Sequence, residues 1–197
     1  MAKNNRFGQA QILTQKELDK IRKCLKSEMH RLFWDIARYT GERWGAICQL
    51  TLGDIWHING EVRSEITFRK HTRKATTQGK KFTRQCPIHP NLSELLLGKM
   101  PRNLLPTDWL FPSPRCTGAH LSFNACDKWL RAAVICADLY HRGISTHTTR
   151  RTFITRLYNN GVDIKTLMGI TGHADIKSLQ RYIDVDTDRI SAAIALL

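Results

Sequence analysis

The stretch STHTTRRTFITRLYNNGVDIKTLMGITGHADIKSLQRYID, residues 145–184, contains the residues around which the rest of the chain is organised. His147 and Arg150 stand three residues apart, and Tyr182 comes nine residues after His173. Tyrosine is a weak nucleophile at neutral pH and needs cationic and proton-donating neighbours. This stretch supplies such neighbours, so Tyr182 is a candidate covalent nucleophile.

The first half of this stretch has the periodicity of a helix. We predict that it is capped at Ser145 or Thr146, runs to about residue 160 and ends with Gly161 as its C-terminal cap. At about 100° per residue, Arg150 falls near the centre of the buried face and His147 lies one turn earlier on the same side. A guanidinium in a dry site needs a partner, because leaving it unpaired is costly. That partner is either a carboxylate elsewhere in the chain or a phosphate of the substrate.

The chain is strongly basic, with 31 Lys and Arg against 17 Asp and Glu among its 197 residues and a formal net charge of +14. This length suits one domain, or a compact two-lobed unit, with a substantial core. The cations are mixed with apolar residues along the whole chain, which argues against a disordered basic tail. A folded basic protein of this kind is expected to bind a polyanion, with DNA or RNA as the first expectation.

The composition also indicates the cellular compartment and disfavours a metal site. The sequence has no apolar run of transmembrane length and no secretory signal, so we expect a cytoplasmic protein that does not bind membranes. Its six cysteines show no Cys-x-x-Cys spacing, which disfavours a zinc site and favours reduced thiols. No metal or cofactor is expected. The cysteines are Cys24, Cys48, Cys86, Cys116, Cys126 and Cys136.

A second arginine is predicted to lie on a buried helical face. Helices are predicted over residues 15–26, 27–39 and 42–50. In the third of these, Arg43 aligns with Ile47 and Leu50, the apolar residues four and seven positions later. The structural alternative for Arg43 is an ion pair with an acid such as Glu17 or Asp54.

Two hairpins are predicted next in the chain. The first turns at Asn59-Gly60, and the second pairs residues 64–74 with residues 81–88. The second hairpin is dense in cations, which suits either a solvated edge or a basic finger laid on nucleic acid. Its cations are Arg69, Lys70, Arg73, Lys74, Lys80, Lys81 and Arg84.

Helices account for most of the remaining chain. They are predicted at about 91–97 and 122–140, on either side of a proline-rich connection over 100–121. A last short helix is predicted over 187–197, whose apolar tail either folds back or docks on a neighbouring protomer. Residues 1–12 are polar and expected to be flexible. The expected fold class is α+β, mainly α-helical with a small antiparallel β-sheet.

In this order and spacing, the motifs resemble the catalytic domain of the tyrosine recombinases, the phage integrase family. The resemblance covers nearly the whole chain, from about Leu13 to Asp184. It implies a catalytic domain over residues 13–197 without the family's N-terminal core-binding domain. The motifs are Thr40-Gly-Glu-Arg43, the lysine-bearing hairpin, His147-Thr-Thr-Arg150-Arg-Thr-Phe, Leu167-Met-Gly-Ile-Thr-Gly-His173 and Tyr182.

The resemblance implies a site-specific recombinase that cleaves and rejoins double-stranded DNA through a 3′-phosphotyrosyl intermediate. Tyr182 would attack the phosphodiester, while Arg43 and Arg150 would hold its non-bridging oxygens. His147 would handle a proton, and His173 would hydrogen-bond the phosphate. In such a phosphoryl transfer the protein mainly positions groups and stabilises charge, so these residues and one lysine suffice without a metal.

The lysine is expected from the second hairpin, where it would protonate the leaving oxygen. Lys74 stands in the position that the family gives its lysine, with Lys70 and Lys80 as alternatives. The family assembles four protomers on two duplexes, so a homo-tetramer on DNA and a monomer without DNA are expected. Such a protein would be bacterial or phage-encoded and would act at the nucleoid.

Two features depart from the family pattern. An acid usually stands three residues after the first arginine, and here that position is Ala46, so Arg43 must be oriented by another group. A lone catalytic lobe would hold only part of a duplex, which predicts weaker and strongly salt-dependent DNA binding. Two other functions therefore stay open: a DNA-binding or regulatory module of the same fold with little turnover, and a relaxing topoisomerase of type IB chemistry.

Structural roles are the alternatives for the candidate residues. Tyr39, Tyr140 and Tyr158 are the rival nucleophiles, but packing in or at the ends of helices explains them. Tyr182 has the alternative of a half-buried core tyrosine. For His173 the alternative is to cap the helix that begins near residue 175.

Overall fold

The computed structural model describes residues 10–73, 79, 81–101, 105–173, 175–183 and 195. These residues form a set of helices and one two-stranded antiparallel sheet, which confirms the expected α+β class. The helices are α1 (Gln15–Cys24), α2 (Glu28–Thr40), α3 (Trp44–Ile47), α4 (Pro90–Leu96), α5 (Phe123–Cys136), α6 (Thr148–Asn159), α7 (Ile164–Thr171) and α8 (Ile176–Gln180). The strands are β1 (Glu65–Phe68) and β2 (Arg84–Pro87).

The first two helices begin at side-chain caps. Thr14 and Glu17 form a reciprocal capping box at α1, in which each side chain accepts a backbone N–H of the other residue. Ser27 caps α2 by accepting the N–H of His30. Both helices agree with the sequence prediction to within a few residues.

The main core contains a group of packed aromatic rings contributed by α2, α3, α5 and the connection before α5. Trp44 stacks on Trp129 with ring centroids 5.0 Å apart, and Phe33 meets the edge of Trp44 at the same distance. The indole N–H of Trp44 donates to the hydroxyl of Thr149 at 3.0 Å, which ties this core to α6. The rings therefore form a rigid support beneath α6.

The end of α2 approaches α6 closely, and only glycine fits there. Gly41 has φ +60°, and a Cβ added to it would lie 2.4 Å from a ring carbon of Phe153. The chain then continues extended through Arg43, and α3 begins only at Trp44. The predicted helix over 42–50 is therefore too long, and Arg43 does not lie on its buried face.

The acids considered as partners of Arg43 are engaged elsewhere. Glu17 pairs with Arg142 at 3.3 Å, and Asp54 pairs with Arg69 at 2.6 Å. The structural alternative for Arg43 is thus not supported by either acid.

Only one of the two predicted hairpins forms a ladder. β1 and β2 pair antiparallel, with Glu65 opposite Pro87 and Phe68 opposite Arg84. The first hairpin is reduced to an isolated bridge between Trp56 and Val62, closed by a turn through Gly60. One paired residue on each side is too few for a strand, so the prediction of β structure at residues 54–62 is wrong in extent.

A second, smaller core lies among α6, α7 and α8. Its buried members are Ile154, Leu167 and Leu179, and Tyr182 is among the half-buried residues packed against it. Arg150 precedes Ile154 by one turn of α6, so it lies where the two cores meet. Gly161, with φ +86°, follows α6 as the sequence predicted.

Cys24 and Cys136 form a disulfide that joins the end of α1 to the end of α5, with their Cα atoms 5.8 Å apart. The expectation of reduced thiols is therefore wrong for this pair.

Among the described residues the remaining cysteines are free, and no group of His, Cys, Asp or Glu is arranged to hold a metal ion. Within the same residues no helix has the length and apolar character needed to cross a membrane. The flexible segment predicted over 1–12 is described only from residue 10, and of the helix predicted over 187–197 only residue 195 is described.

Candidate active site

Arg150 lies at the centre of the site and is 1 % exposed. Its two terminal nitrogens donate to the carbonyl of Gly41 at 2.9 Å and to the carbonyl of Thr171 at 3.2 Å. These two carbonyls belong to the ends of α2 and α7, so the planar guanidinium joins three helices. Burial lowers the pKa of Arg150 to about 10, which still leaves the side chain charged at neutral pH.

Glu42 is the carboxylate that balances this buried charge. It is fully buried and ion-paired with Arg84 at 3.0 Å, Arg73 at 3.2 Å and Arg150 at 3.8 Å. Burial alone raises the pKa of Glu42, but the three guanidinium groups outweigh burial and the net pKa lies below its usual value. Glu42 is therefore ionised, and it also accepts the backbone N–H of Arg43 at 2.8 Å.

The hairpin is held against the site by two of these arginines. Arg84, at the start of β2, donates to the carbonyls of Thr40 and Ile170. Arg73 donates to the carbonyl of Phe82 at 3.1 Å. Its guanidinium also lies beside Gly172, because a Cβ added there would be 2.7 Å from one of its nitrogens. The sheet, α2 and α7 are thus fixed relative to one another around Glu42.

His173 is buried against Arg150. Its Nε2 is 3.1 Å from a terminal nitrogen of Arg150, and its Nδ1 is 2.6 Å from the hydroxyl of Thr171. Because arginine only donates, Nε2 must accept and Nδ1 carries the proton, which it donates to Thr171. The Thr171 hydroxyl in turn donates to the carbonyl of Leu167 at 2.6 Å. Burial, followed by Arg150 and then Arg43, lowers the pKa of His173 to about 3, so this imidazole is neutral.

The capping alternative for His173 is wrong. Asp175 caps α8, since its carboxylate accepts the N–H of Ser178 at 2.7 Å. His173 is therefore available to the arginine cluster, where it holds Arg150 through Nε2.

Tyr182 lies at the edge of the same cluster. Its ring is half-buried, with its centroid 5.4 Å from the ring of His173 and 5.6 Å from the guanidinium carbon of Arg150. The hydroxyl of Thr155 donates to the carbonyl of Tyr182 at 2.6 Å and so attaches this part of the chain to α6. A guanidinium over an aromatic face is itself a favourable contact, which keeps the phenol next to the positive charge.

The other three tyrosines are occupied away from Arg150. Tyr39 stacks on His89 with ring centroids 4.6 Å apart, and Tyr140 is exposed on the surface. Tyr158 is packed against the second core. Tyr182 contacts both His173 and Arg150 through its ring.

A surface cavity of about 290 Å³ opens beside the cluster, and Arg43 and His147 both line it. Arg43 is half-buried, and its charge lowers the pKa of both Arg150 and His173, so it acts on the same site. His147 is exposed at the N-terminal end of α6. The cavity is lined by Arg43, Trp44, Gly45, Ala46, Gln49, Thr72, Phe123, Thr146 and His147.

The hairpin lysines are only partly placed by the structure. Lys74 and Lys80 lie outside the described residues, and Lys70 is exposed. The chain leaving β1 does enter the site, because Thr72 lines the cavity and Arg73 pairs with Glu42. Lys74 directly follows this segment in the sequence.

The described part of the site has an excess of positive charge. Three guanidinium groups pair with the buried carboxylate of Glu42, and the charge of a fourth arginine, Arg43, also acts on Arg150, so the arginines of this cluster outnumber its buried carboxylate. The Nε of Arg150 is also buried without a hydrogen-bond partner among the described residues. Such a site is suited to an anion that can accept from several guanidinium groups, and a phosphate has that geometry. The arginines are Arg43, Arg73, Arg84 and Arg150.

Sequence reasoning missed Glu42, Arg73 and Arg84 as members of the site. Glu42 was placed at the start of a helix, whereas the extended chain after Gly41 turns it inward and leaves Arg43 at the cavity. The available signal was the presence of Arg73 and Arg84 on the two arms of the predicted hairpin, because buried arginines need an acid if the hairpin packs on the helices.

Comparison with protein families and curated relatives gives a consistent result. Residues 11–189 match the model of the phage integrase family. The chain is 32 % identical over 111 residues to tyrosine recombinase XerC of Erythrobacter litoralis, covering 56 % of this chain and 35 % of that protein. It is 32 % identical over 92 residues to tyrosine recombinase XerD of Caulobacter vibrioides, covering 47 % and 30 %. The matches span about a third of the length of these relatives.

Solved structures show the same fold. A XerH site-specific recombinase bound to a palindromic difH substrate superposes with a TM-score of 0.71 at 24 % identity, covering 95 % of this chain and 53 % of that one. The catalytic domain of bacteriophage HP1 integrase superposes with a TM-score of 0.60 at 22 % identity, covering 88 % of this chain and 87 % of that domain.

Proposed function

Because the chain belongs to the phage integrase family, we propose that it is a site-specific DNA recombinase that breaks and rejoins DNA through a phosphotyrosyl bond. The observation that supports this most is the contact of the Tyr182 ring with both His173 and the buried guanidinium of Arg150, within a cluster of arginines. A phenol beside fixed positive charge is the arrangement that attack on a phosphodiester requires.

In the proposed reaction the Tyr182 oxygen bonds to phosphorus, and the bond from phosphorus to the 5′ oxygen breaks. The electron pair leaves on that oxygen, which takes a proton from Lys74. The phenol proton passes to His147, which lines the cavity. The products are a 3′-phosphotyrosyl link and a free 5′-hydroxyl, and a second 5′-hydroxyl reverses the attack without an external energy source.

Arg43 and Arg150 have the roles of charge stabilisers for the non-bridging oxygens. Arg150 is preorganised by two backbone carbonyls, so little reorganisation is needed when the phosphate arrives. His173 is proposed to hold Arg150 before DNA binds, because its Nε2 accepts from the guanidinium. The implied hydrogen bond from His173 to the phosphate requires the other tautomer or a protonated ring.

The partner is proposed to be double-stranded DNA, with four protomers on two duplexes during exchange and a monomer in its absence. The net charge of +14 supports a polyanion partner, and XerH is a relative of the same fold solved with its DNA substrate. Such a recombinase would act on DNA in the bacterial cytoplasm, whether encoded by a chromosome or by a phage.

Covalent capture tests this function. The protein is incubated with a duplex that carries a nick next to the cleavage position, so that the short product diffuses away and the adduct accumulates. We expect a denaturation-resistant protein–DNA band with the native chain and with Tyr158→Phe, and none with Tyr182→Phe. Thermal unfolding checks that both variants fold.

The competing functions give different results in the same experiment. DNA binding without formation of any adduct would identify a binding module. Relaxation of supercoiled plasmid without sequence preference would identify a topoisomerase.

A further inference from the structure

We propose that Glu42 is a positioning residue for DNA cleavage and takes the place of the carboxylate that the chain lacks at residue 46. This inference rests on the proposed recombinase function. It is based on the different partners of the two carboxylate oxygens of Glu42, whose side chain is buried.

One oxygen of Glu42 faces the phosphate-binding arginines. Oε1 accepts the backbone N–H of Arg43 at 2.8 Å and lies 3.8 Å from a terminal nitrogen of Arg150. This hydrogen bond fixes the backbone of Arg43, which is the N-cap residue of α3 and makes no side-chain capping hydrogen bond. The same oxygen therefore sets the spacing between the two arginines proposed to hold the scissile phosphate.

The other oxygen faces the hairpin. Oε2 lies 3.0 Å from Arg84 and 3.2 Å from Arg73. Arg73 directly precedes Lys74, the proposed general acid. Glu42 thus connects the phosphate-binding arginines with the two hairpin arginines, and a shift of this carboxylate would move both pairs.

Residue 46 cannot supply this link. Ala46 is buried and lines the cavity that Arg43 and His147 share. Its methyl group leaves that cavity open, and none of the arginines paired with Glu42 lines it. In this chain the acid is Glu42, the residue before Arg43, which pairs with the arginines and does not line the cavity.

The charge of Glu42 matters as well as its shape. Without it, four arginines would face one another in a site with little water, and their repulsion would separate them. Glutamine has the size of glutamate but no charge, whereas aspartate keeps the charge on a stem one carbon shorter. The two substitutions therefore separate charge from geometry.

The test measures single-turnover cleavage of the nicked duplex at saturating DNA, together with DNA affinity at one fixed salt concentration. For Glu42→Gln we expect cleavage to slow by about ten- to a hundred-fold, since misplacing reacting groups by about an ångström costs that much. Affinity is expected to change by less than about three-fold, because removing a negative charge does not weaken binding to a polyanion. The cleavage rate of Glu42→Asp is expected to lie between the rate of the native chain and that of Glu42→Gln.

Asp54→Asn provides the matched control. Asp54 is also buried and ion-paired, with Arg69 at 2.6 Å, but it does not contact the arginine cluster. We expect this variant to lose stability, as Glu42→Gln does, yet to cleave at the native rate at saturating DNA. Equal slowing in both variants would show a general effect of instability and overturn the proposal.

Other outcomes distinguish a failure of the role proposed for Glu42 from a failure of the proposed recombinase function. An absence of adduct with the native chain would contradict the recombinase function itself. Native cleavage by a folded Glu42→Gln would contradict the role of Glu42 alone. If Glu42→Gln does not fold, Glu42→Asp decides: a several-fold slower rate with a native unfolding temperature supports the role, and a native rate refutes it.

Discussion

At the residue scale, the imidazole of His173 is the group whose protonation the fold restricts most clearly. Burial and the charges of Arg150 and Arg43 lower its pKa to about 3, and Asp175 opposes this shift only weakly. In an unfolded chain the pKa of histidine is about 6.5. Below that pH the unfolded state takes up a proton that the folded state does not, so the free energy of unfolding falls as pH falls towards 3.

We therefore predict that His173 contributes an acid-sensitive part of the stability, approaching about 1.4 kcal/mol per pH unit below about pH 6.5. Urea unfolding of the native chain and of His173→Asn, from about pH 7 to about pH 4.5, measures this contribution. The difference in unfolding free energy between the two proteins is expected to shrink as the pH falls. A difference that stays constant over this range would show that His173 is not held neutral.

The residue scale also shows where sequence reasoning succeeded and where it failed. Arg150 was predicted to be buried because it belongs to a long regular helix, in which position along the chain fixes direction in space. Glu42 and Arg43 follow a left-handed glycine, where the chain turns and no periodicity applies. The sequence could not show which of the two faces inward, and the structure places the acid inside.

At the scale of elements, the end of α7 and the hairpin meet at Gly172. This glycine has φ +65°, and a Cβ added to it would lie 2.7 Å from a guanidinium nitrogen of Arg73. Gly161 has φ +86° at the end of α6, but nothing lies within 4 Å of its added Cβ. The two positions share the backbone strain and differ in the contact.

We predict that Gly161→Ala and Gly172→Ala both lower the free energy of unfolding by about 1 kcal/mol or more, because alanine is strained at positive φ. Only Gly172→Ala is expected to slow covalent capture, since it displaces Arg73 and the neighbouring His173. Unfolding measurements and single-turnover cleavage of both variants provide the check. Equal cleavage by the two variants would show that this contact does not matter for the site.

The hairpin is expected to deliver the general acid. We predict that Lys74→Ala slows cleavage of ordinary DNA by about 10²–10⁴-fold, the usual contribution of a positioned acid. A substrate with sulfur in place of the bridging 5′ oxygen has a leaving group that needs no proton, so it should restore most of the rate. Lys70→Ala is the control and should cleave both substrates normally. Loss of rate in Lys70→Ala, with sulfur rescue, would move the acid to that alternative.

Elements differed in how well the sequence predicted them. The helices with clear caps and apolar stripes were found to within a few residues, because local signals define them. The first hairpin was predicted from Asn59-Gly60, and the turn does form, but the flanking residues pair only at one bridge. Strand length depends on long-range packing, which a single sequence does not reveal.

At the scale of the whole molecule, one disulfide connects the first helix to the last helix of the main core. Cys24 and Cys136 are 112 residues apart in the chain, so the bond closes a long loop. A loop of that length restricts the unfolded chain, with a typical contribution of about 2–5 kcal/mol to stability. This pair could not be predicted from the sequence, because cysteine spacing does not determine which thiols meet.

We predict that the oxidised native chain is more stable than Cys24→Ser by this amount, and that a reducing agent removes the difference. Urea unfolding with and without reductant measures it. Cys116→Ser, which changes an exposed free thiol, should behave like the native chain. Native stability that does not respond to reductant would show that the disulfide is not formed in solution.

The overall charge and the site carry different information about the function. A net charge of +14 indicates a polyanion partner but not a reaction. The proposed reaction rests on Tyr182 next to Arg150 of α6, in a cluster that also takes arginines from the hairpin and from the turn after α2. Those segments are up to about a hundred residues apart in the sequence, which is why only a family resemblance, and not periodicity, could connect them beforehand.

The most direct test of this account is to locate the covalent bond. The captured adduct is digested with nuclease and trypsin, and the peptides are analysed by mass spectrometry. Trypsin cuts after Arg181 and Arg189, so the peptide 182–189 begins with Tyr182. We predict that this peptide carries a 3′-linked nucleotide on its tyrosine. A nucleotide on a peptide containing Tyr39, Tyr140 or Tyr158, or on a serine or threonine, would contradict the central claim.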